Sequence, residues 1–389
     1  MDVLTRERAK PSLPFGGVFQ LIDFPLSSLQ HSGVAHVWVS VQYQPGSVDT
    51  EIANGRPWDL DRTHGGFRLL VPQEGVGGDE DGLAAGNADV LFRVRDQIRA
   101  ARPEVVIVMS SDHVYRLDLD DVVARHRSKR ASCTIVTTEV DRTEASHHAT
   151  VVANRQGRVT DFAYKRARPT TGVVATEIFV YDPDALISTL EELHAELTHD
   201  ADSDETGLGD FGENLLPRMV KRRNVFAYAM PGYWRDVGRP ETYFAAHRDL
   251  LTDDLGVFGE DGWPILTRTT SGLPPRIRAG ADVVDSLISP GCDVHGSVHR
   301  SVLGPGVQVA AGAVVSDAIV LADADIRSDA SVSWSILDVG VVIGEGAVVG
   351  GPPRGNLPGD DELVLIGRDS QVAAGARLAK GARLEPGTT

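Results

Sequence analysis

Leu303-Gly304-Pro305-Gly306-Val307-Gln308-Val309-Ala310-Ala311-Gly312-Ala313-Val314-Val315-Ser316-Asp317-Ala318-Ile319-Val320-Leu321 is the stretch that decides the fold. Apolar residues recur in it at every sixth position, at Leu303, Val309, Val315 and Leu321. The beat resumes at Leu337, Ile343 and Val349, and again at Ile366, Val372, Leu378 and Leu384. Small residues follow many of them, as at Gly306, Gly312, Gly346, Gly375 and Gly381. A six-residue period with a small residue at the corner suits a triangular parallel β-helix, because each coil has three faces and each face turns one side chain inward. A Gly-rich β-sandwich would instead alternate with period two and carry hairpin turns, and neither dominates. The coil is expected to begin near Pro274, within a unit spanning residues 256–389, with Gly355–Asp361 pushed out of it as a loop.

Upstream the pattern changes. Short β-branched runs, Ala35–Val41, Val105–Met109, Cys133–Thr138 and Thr176–Tyr181, alternate with amphipathic stretches at Ala88–Ala101 and Leu119–His126. That alternation predicts an α/β unit over residues 1–255 with a mostly parallel, Rossmann-like sheet covered on both faces. The acidic, Gly-rich segment His199–Gly212 reads as a loop, and a helix is expected over Glu241–Leu251, opening after Pro240.

Composition narrows the function. A chain of 389 residues is long enough for two cores. No apolar run is long enough to span a bilayer, and no apolar stretch follows Met1–Arg6 as in a signal peptide, so a cytoplasmic protein is expected. Cys133 and Cys292 lie far apart and outside any metal-binding spacing, and read as buried thiols. A formal net charge of -17 disfavours nucleic acid and anionic membranes as partners. Small anions are still admissible, since a local cluster of cations outweighs distant charge screened over about 8 Å.

Two segments carry candidate chemistry on their residues alone. Lys10 stands beside the stiff Pro11, a cation suited to a polyphosphate or simply a solvated surface lysine. Asp112, just after Val105–Met109, lies where open α/β sheets bind ligands, although an aspartate there also serves to cap the next helix.

Arg8-Ala9-Lys10-Pro11, Phe15-Gly16-Gly17 and Leu21-Ile22-Asp23-Phe24-Pro25-Leu26-Ser27 resemble the opening of glucose-1-phosphate adenylyltransferases after their glycine-rich loop. Ser111-Asp112-His113-Val114-Tyr115 is similar to the family's G-D-H-x-Y signature, and Tyr233-Trp234-Arg235-Asp236-Val237-Gly238 matches its Y-W-R-D-V-G motif unchanged. Gly86-Asn87-Ala88-Asp89-Val90 resembles G-T-A-D-A, and Phe162-Ala163-Tyr164-Lys165 resembles F-x-E-K-P. The resemblance implies a nucleotidyltransferase joined to a left-handed β-helix. It implies ATP and glucose 1-phosphate as substrates, Mg²⁺ held by Asp112 and Asp236, and Lys10, Gln73 and Gly86 on the nucleotide. By the same resemblance Lys165 and Tyr115 meet the sugar phosphate, Lys10, Asp112 and Asp236 serve catalysis, and the chain forms a homo-oligomer, a tetramer by family habit.

The sequence also departs from the family pattern. Met1 stands only a few residues before Arg8, so the family's opening strand and Gly-Gly-x-Gly-x-Arg loop are not found, which implies slowed adenylyl transfer and uncovered apolar sheet edges. Tyr164 replaces the family's glutamate and Arg166 its proline, while Thr150 and Glu177 fall where it has glycines, so their side chains are expected to crowd the sugar pocket. Three functions therefore fit: the adenylyltransferase, a non-catalytic regulatory subunit or paralogue, and a transferase for another sugar phosphate.

Overall fold

The computed structural model describes residues 1–71, 86–197, 207–252, 255–258, 262–268, 272–355 and 357–389. The first unit is built on the strand Val173–Tyr181, whose residues are buried except for Val173 and Glu177. One of its edges pairs antiparallel with Cys133–Glu139, which pairs parallel with Val225–Ala229. Its other edge is shared: Val174 meets Thr150, and Ile178–Tyr181 meet Val106–Met109 in antiparallel register. Val106–Met109 and Cys133–Glu139 oppose the same strand and so run the same way. Thr150–Ala153 runs that way too, while Val159–Ala163 turns back against it, so the sheet is mixed, with four strands in one direction and two in the other. His36–Ser40 and Gly66–Leu70 form a separate parallel ladder.

Among the described residues, His36–Ser40 and Val106–Met109 are each paired along one edge only. Val106, Ile107, Val108 and Met109 are correspondingly half-buried, an apolar strand with an uncovered edge. The helical stretch anticipated over Ala88–Ala101 breaks at Val94 into Asn87–Arg93 and Arg95–Ala101. Its apolar face survives the break, with Phe92 and Ile98 buried. The later helix runs over Pro240–Thr252. Of the acidic loop His199–Gly212, residues 199–206 lie outside the described residues; Phe211–Leu215 form one wide helical turn leading into Leu216–Arg222.

The second unit is the parallel coil. Leu303 stacks on Val320 and Val320 on Leu337, so one coil takes seventeen residues. One of its faces is a residue short of six. This corrects the reading of Leu321 as an inward residue. Val320 fills the interior, and Leu321 turns outward into the contact with the first unit. After Val349 the chain leaves the coil and returns at Val364–Ile366, where Ile366 stacks on Leu337. Ile319, Leu321, Ile336, Leu363 and Leu365 of the coil pack against Phe15, Phe24, Tyr243 and Phe244. A buried ion pair between Arg8 and Asp338 crosses the same contact.

Candidate active site

Lys10 opens a short turn over Lys10–Ser12, closed by the Leu13 N–H donating to the Lys10 carbonyl at 3.0 Å and braced by the Ile22 N–H on the Pro11 carbonyl at 2.9 Å. The proline keeps this turn rigid. The Lys10 ammonium is hydrogen-bonded to the Asp112 carboxylate, which also accepts from the Ser110 hydroxyl. Burial alone would push the Asp112 carboxyl up. The neighbouring His113 and Lys10, together with the hydrogen bonds from Lys10 and Ser110, overcome that and hold it well below the usual carboxylate range.

Asp236 arrives by strand pairing. Trp234–Asp236 lies antiparallel to His113–Tyr115 with Asp236 opposite His113, which sets the two aspartates at one mouth. The Gly238 N–H donates to Asp236 Oδ1 at 2.6 Å. A Cβ at Gly238 would stand 2.7 Å from that oxygen and 3.0 Å from Lys10 Nζ, so the backbone of Gly238 passes directly beneath both. Two carboxylates with open lone pairs, and a cation already seated on one of them, form a hard-oxygen set that fits Mg²⁺, which takes one or two carboxylates and completes its shell with water and substrate oxygens. Among the described residues no three His, Cys, Asp or Glu side chains are grouped so as to hold an ion by themselves.

Behind the aspartates lies a layer that sequence reasoning did not single out. His113 Nδ1–H donates to the Thr176 carbonyl at 3.1 Å, and its Nε2 lies 3.6 Å from Asp112 Oδ1 and 3.9 Å from Asp236 Oδ1. His148 Nε2–H donates to Glu144 at 3.0 Å, and Arg239 donates to both Glu144 oxygens at 3.0 Å. The His148 hydrogen bond, then Arg239, outweigh burial and hold the Glu144 carboxyl down to about 2. The Trp234 ring stands edge-on to both imidazoles, at 5.1 and 5.4 Å. The i,i+4 spacing of Glu144 and His148 was a visible signal; their closeness to Asp236 was not.

A second cluster surrounds Lys165. The Tyr164 hydroxyl donates to Asp210 Oδ2 at 3.2 Å, while Asp210 Oδ1 accepts from the Asn87 N–H at 3.3 Å and the Gly209 carbonyl from the Ala88 N–H at 3.1 Å. Gly86 is wedged against the Gly209–Asp210 backbone where a Cβ would collide. Asp210 thereby ties the Gly86 segment to Tyr164, and Lys165 lies with its ammonium 4.9 Å from the Tyr164 ring centroid. Gln73 falls outside the described residues.

Two expectations change here. Tyr115, read as a sugar-phosphate ligand, is fully buried among Val136, Ile178 and Met230 with its hydroxyl unpartnered among the described residues, so none of its surface is open to a substrate. Thr150 does not crowd a pocket: it is buried, with its hydroxyl on the Ala163 carbonyl at 3.4 Å. Glu177 does occupy a glycine-like position, with φ +57°.

Residues 2–253 match the nucleotidyl transferase family, and residues 276–356 match the GlmU-like C-terminal hexapeptide family. The chain is 32% identical over 369 residues to the glucose-1-phosphate adenylyltransferase of Clostridium perfringens, covering 94% of this chain and 91% of that one. It is 35% identical over 396 residues to the enzyme of the same name from Thermomicrobium roseum, covering 99% and 90%. With that from Desulfitobacterium hafniense it shares 30% over 390 residues, covering 100% and 95%. Similarity of this extent runs through both units. The chain belongs to the glucose-1-phosphate adenylyltransferase family of nucleotidyltransferases.

Proposed function

We propose that this protein makes ADP-glucose and pyrophosphate from ATP and glucose 1-phosphate, the activated glucose of α-glucan or glycogen synthesis. The observation that carries this reading is the meeting of Lys10, Asp112 and Asp236 at one mouth of the sheet. An oxygen of the sugar phosphate attacks the α-phosphorus of ATP; the bond from that phosphorus to the bridging oxygen breaks, and the electron pair leaves with pyrophosphate. A phosphate dianion is nucleophile enough, so the chain need only position groups and neutralise charge. Asp112 and Asp236 would hold Mg²⁺, which when bound would supply positive charge against the charge developing on the phosphates. Lys10 is held on Asp112 by its stiff turn and offers its ammonium to the polyphosphate. Lys165 grips the sugar phosphate. The Gly86 segment meets the nucleotide, held in place by its close packing against the Gly209–Asp210 backbone.

Family membership also supports a cytoplasmic enzyme working as a homo-oligomer, a tetramer. No helix among the described residues is long and apolar enough to cross a membrane. Ile277, Val284, Leu287 and Val314 are exposed on the early coils, apolar surface suited to a second copy. The altered residues around Lys165 keep a second reading in play, a binding paralogue without turnover. Pyrophosphate release measured with Mg²⁺ and both substrates, and with each left out, separates them: release that needs all three supports the enzyme, and tight ADP-glucose binding without release supports the paralogue.

A further inference from the structure

Oδ1 of Asp236 is held by the Gly238 N–H at 2.6 Å, and Oδ2 faces Nδ1 of the buried His148 ring at 3.8 Å. With one oxygen hydrogen-bonded and the other backed by a ring, the carboxylate turns only as far as that imidazole lets it. The Trp234 ring meets the same imidazole edge-on at 5.4 Å, two residues before Asp236. His148 is thus packed against the strand Trp234–Asp236, and whatever fixes His148 fixes the place of Oδ2.

The fixing begins at a short helix, Arg142–Ala145, which Asp141 caps: its Oδ1 accepts from the Thr143 N–H at 2.8 Å and the Glu144 N–H at 3.0 Å. The His148 N–H donates to the Ala145 carbonyl at 3.3 Å, so the winding continues and brings the imidazole to Glu144, whose Oε1 accepts from Nε2–H at 3.0 Å. Arg239 closes the circuit. It follows Asp236 by three residues, and one of its guanidinium nitrogens donates to both Glu144 oxygens at 3.0 Å. Asp236, the backbone to Arg239, Glu144 and His148 therefore form a ring of contacts joined at Glu144. Arg239 and Glu144 are each about a third exposed, and pairs so exposed add little stability, so what their contact achieves is placement. The circuit also has a branch: the His148 carbonyl accepts from the Lys165 N–H at 3.2 Å, so the residue that backs Asp236 ties down the backbone of Lys165.

Resting on the function proposed above, we propose that Glu144 is a positioning residue for Asp236: through His148 and Arg239 it holds that carboxylate in the orientation a divalent cation needs. It acts through these two side chains and not by touching the ion. Groups that orient a metal ligand from behind change metal affinity by about 10–100-fold when they are removed. A carboxylate that acted only as a remote negative charge would be missed equally whether its replacement kept the hydrogen bond to His148 or not.

The test is Mn²⁺ binding to the whole chain with ADP-glucose present, the unbound ion measured by electron paramagnetic resonance, in wild type, Glu144→Ala, Glu144→Gln and Asp236→Asn. Glu144→Ala releases both His148 and Arg239, and Mn²⁺ affinity should fall roughly tenfold. Glu144→Gln keeps an acceptor for His148 Nε2–H and should recover most of that loss. ADP affinity without metal, from calorimetric titration, should not fall in either Glu144 variant. Wild-type Mn²⁺ affinity in Glu144→Ala, a loss in Glu144→Gln as large as in Glu144→Ala, or a matching loss of ADP affinity overturns the proposal alone. A wild-type chain that binds no Mn²⁺, or an Asp236→Asn variant that binds it as well as wild type, overturns the reading of the mouth, and the proposal with it.

Discussion

Asp236 and Asp23 are the two carboxylates whose environments differ most sharply in consequence. Asp236 is half-buried and faces Gly238, His113 and His148 at the mouth. Asp236→Asn keeps its size and an acceptor for the Gly238 N–H but removes the charge that a divalent ion requires. Mg²⁺-dependent turnover should fall by about a hundredfold or more, Mn²⁺ binding followed by electron paramagnetic resonance should weaken in parallel, and the melting temperature should hold. An unchanged Mn²⁺ affinity would remove Asp236 from the metal. Asp23 is buried at the start of the helix Asp23–His31, its Oδ2 accepting from the Gln20 N–H at 2.8 Å, and burial pushes its carboxyl up to about 7 against the hydrogen bonds of Gln20 and Thr267. A carboxyl raised in this way binds more protons folded than unfolded. Its contribution to stability is therefore whole below pH 4 and is lost as pH rises towards 7. Asp23→Asn should flatten that fall and leave the variant about 2–4 kcal/mol more stable than wild type at pH 8 by urea denaturation. A variant less stable than wild type at pH 8 would show that the ionised form is welcome in the core.

Elements differ in how much a single side chain matters to them. In the coil each inward residue touches the residue above and the one below, so its loss opens a cavity that stacked neighbours cannot close. Leu337 is fully buried between Val320 and Ile366, whereas Leu357 in the excursion from the coil is half exposed. Leu337→Ala should cost about 2–5 kcal/mol, and Leu357→Ala should stay within about 0.5 kcal/mol of wild type, both read from denaturant midpoints at constant slope. Comparable losses at the two sites would contradict the stacking. The wide turn Phe211–Leu215 is constrained differently. Gly212 lies flat against the Tyr164 ring, so any Cβ there displaces the tyrosine that holds Asp210.

At the scale of the molecule the two units share an apolar contact, the buried Arg8–Asp338 pair and further ion pairs at Arg248–Asp317, Arg6–Glu385 and Arg383–Asp2. Arg8 reaches Asp338 of the coil two residues before Lys10, so the segment that carries Lys10 to Asp112 is anchored to the second unit. Arg8→Ala leaves Asp338 buried and uncompensated, which typically costs about 3–5 kcal/mol, while Arg8→Met with Asp338→Leu should recover most of the loss. Calorimetric unfolding checks this. The single variant should melt lower, and the double variant should melt near wild type. A double variant no better than the single one would mean that the pair acts through something other than its charges.

The sequence by itself determined the architecture, because the periods of six and of alternating strand and helix are local properties that burial enforces wherever the chain folds. It also marked Lys10, Asp112, Lys165 and Asp236, since each lies in a motif short enough to read in one line. Only tertiary structure decided which way side chains turn. The seventeen-residue coil moves the inward place from Leu321 to Val320, and packing against Val136, Ile178 and Met230 closes Tyr115 into the core. Pairing of strands distant in sequence likewise brings His113 to Asp236, where His148 and its partner Glu144 also gather, and a register slip sets the left-handed backbone of Glu177 against Ser110. Contacts of this kind depend on the packing of segments that no local pattern records.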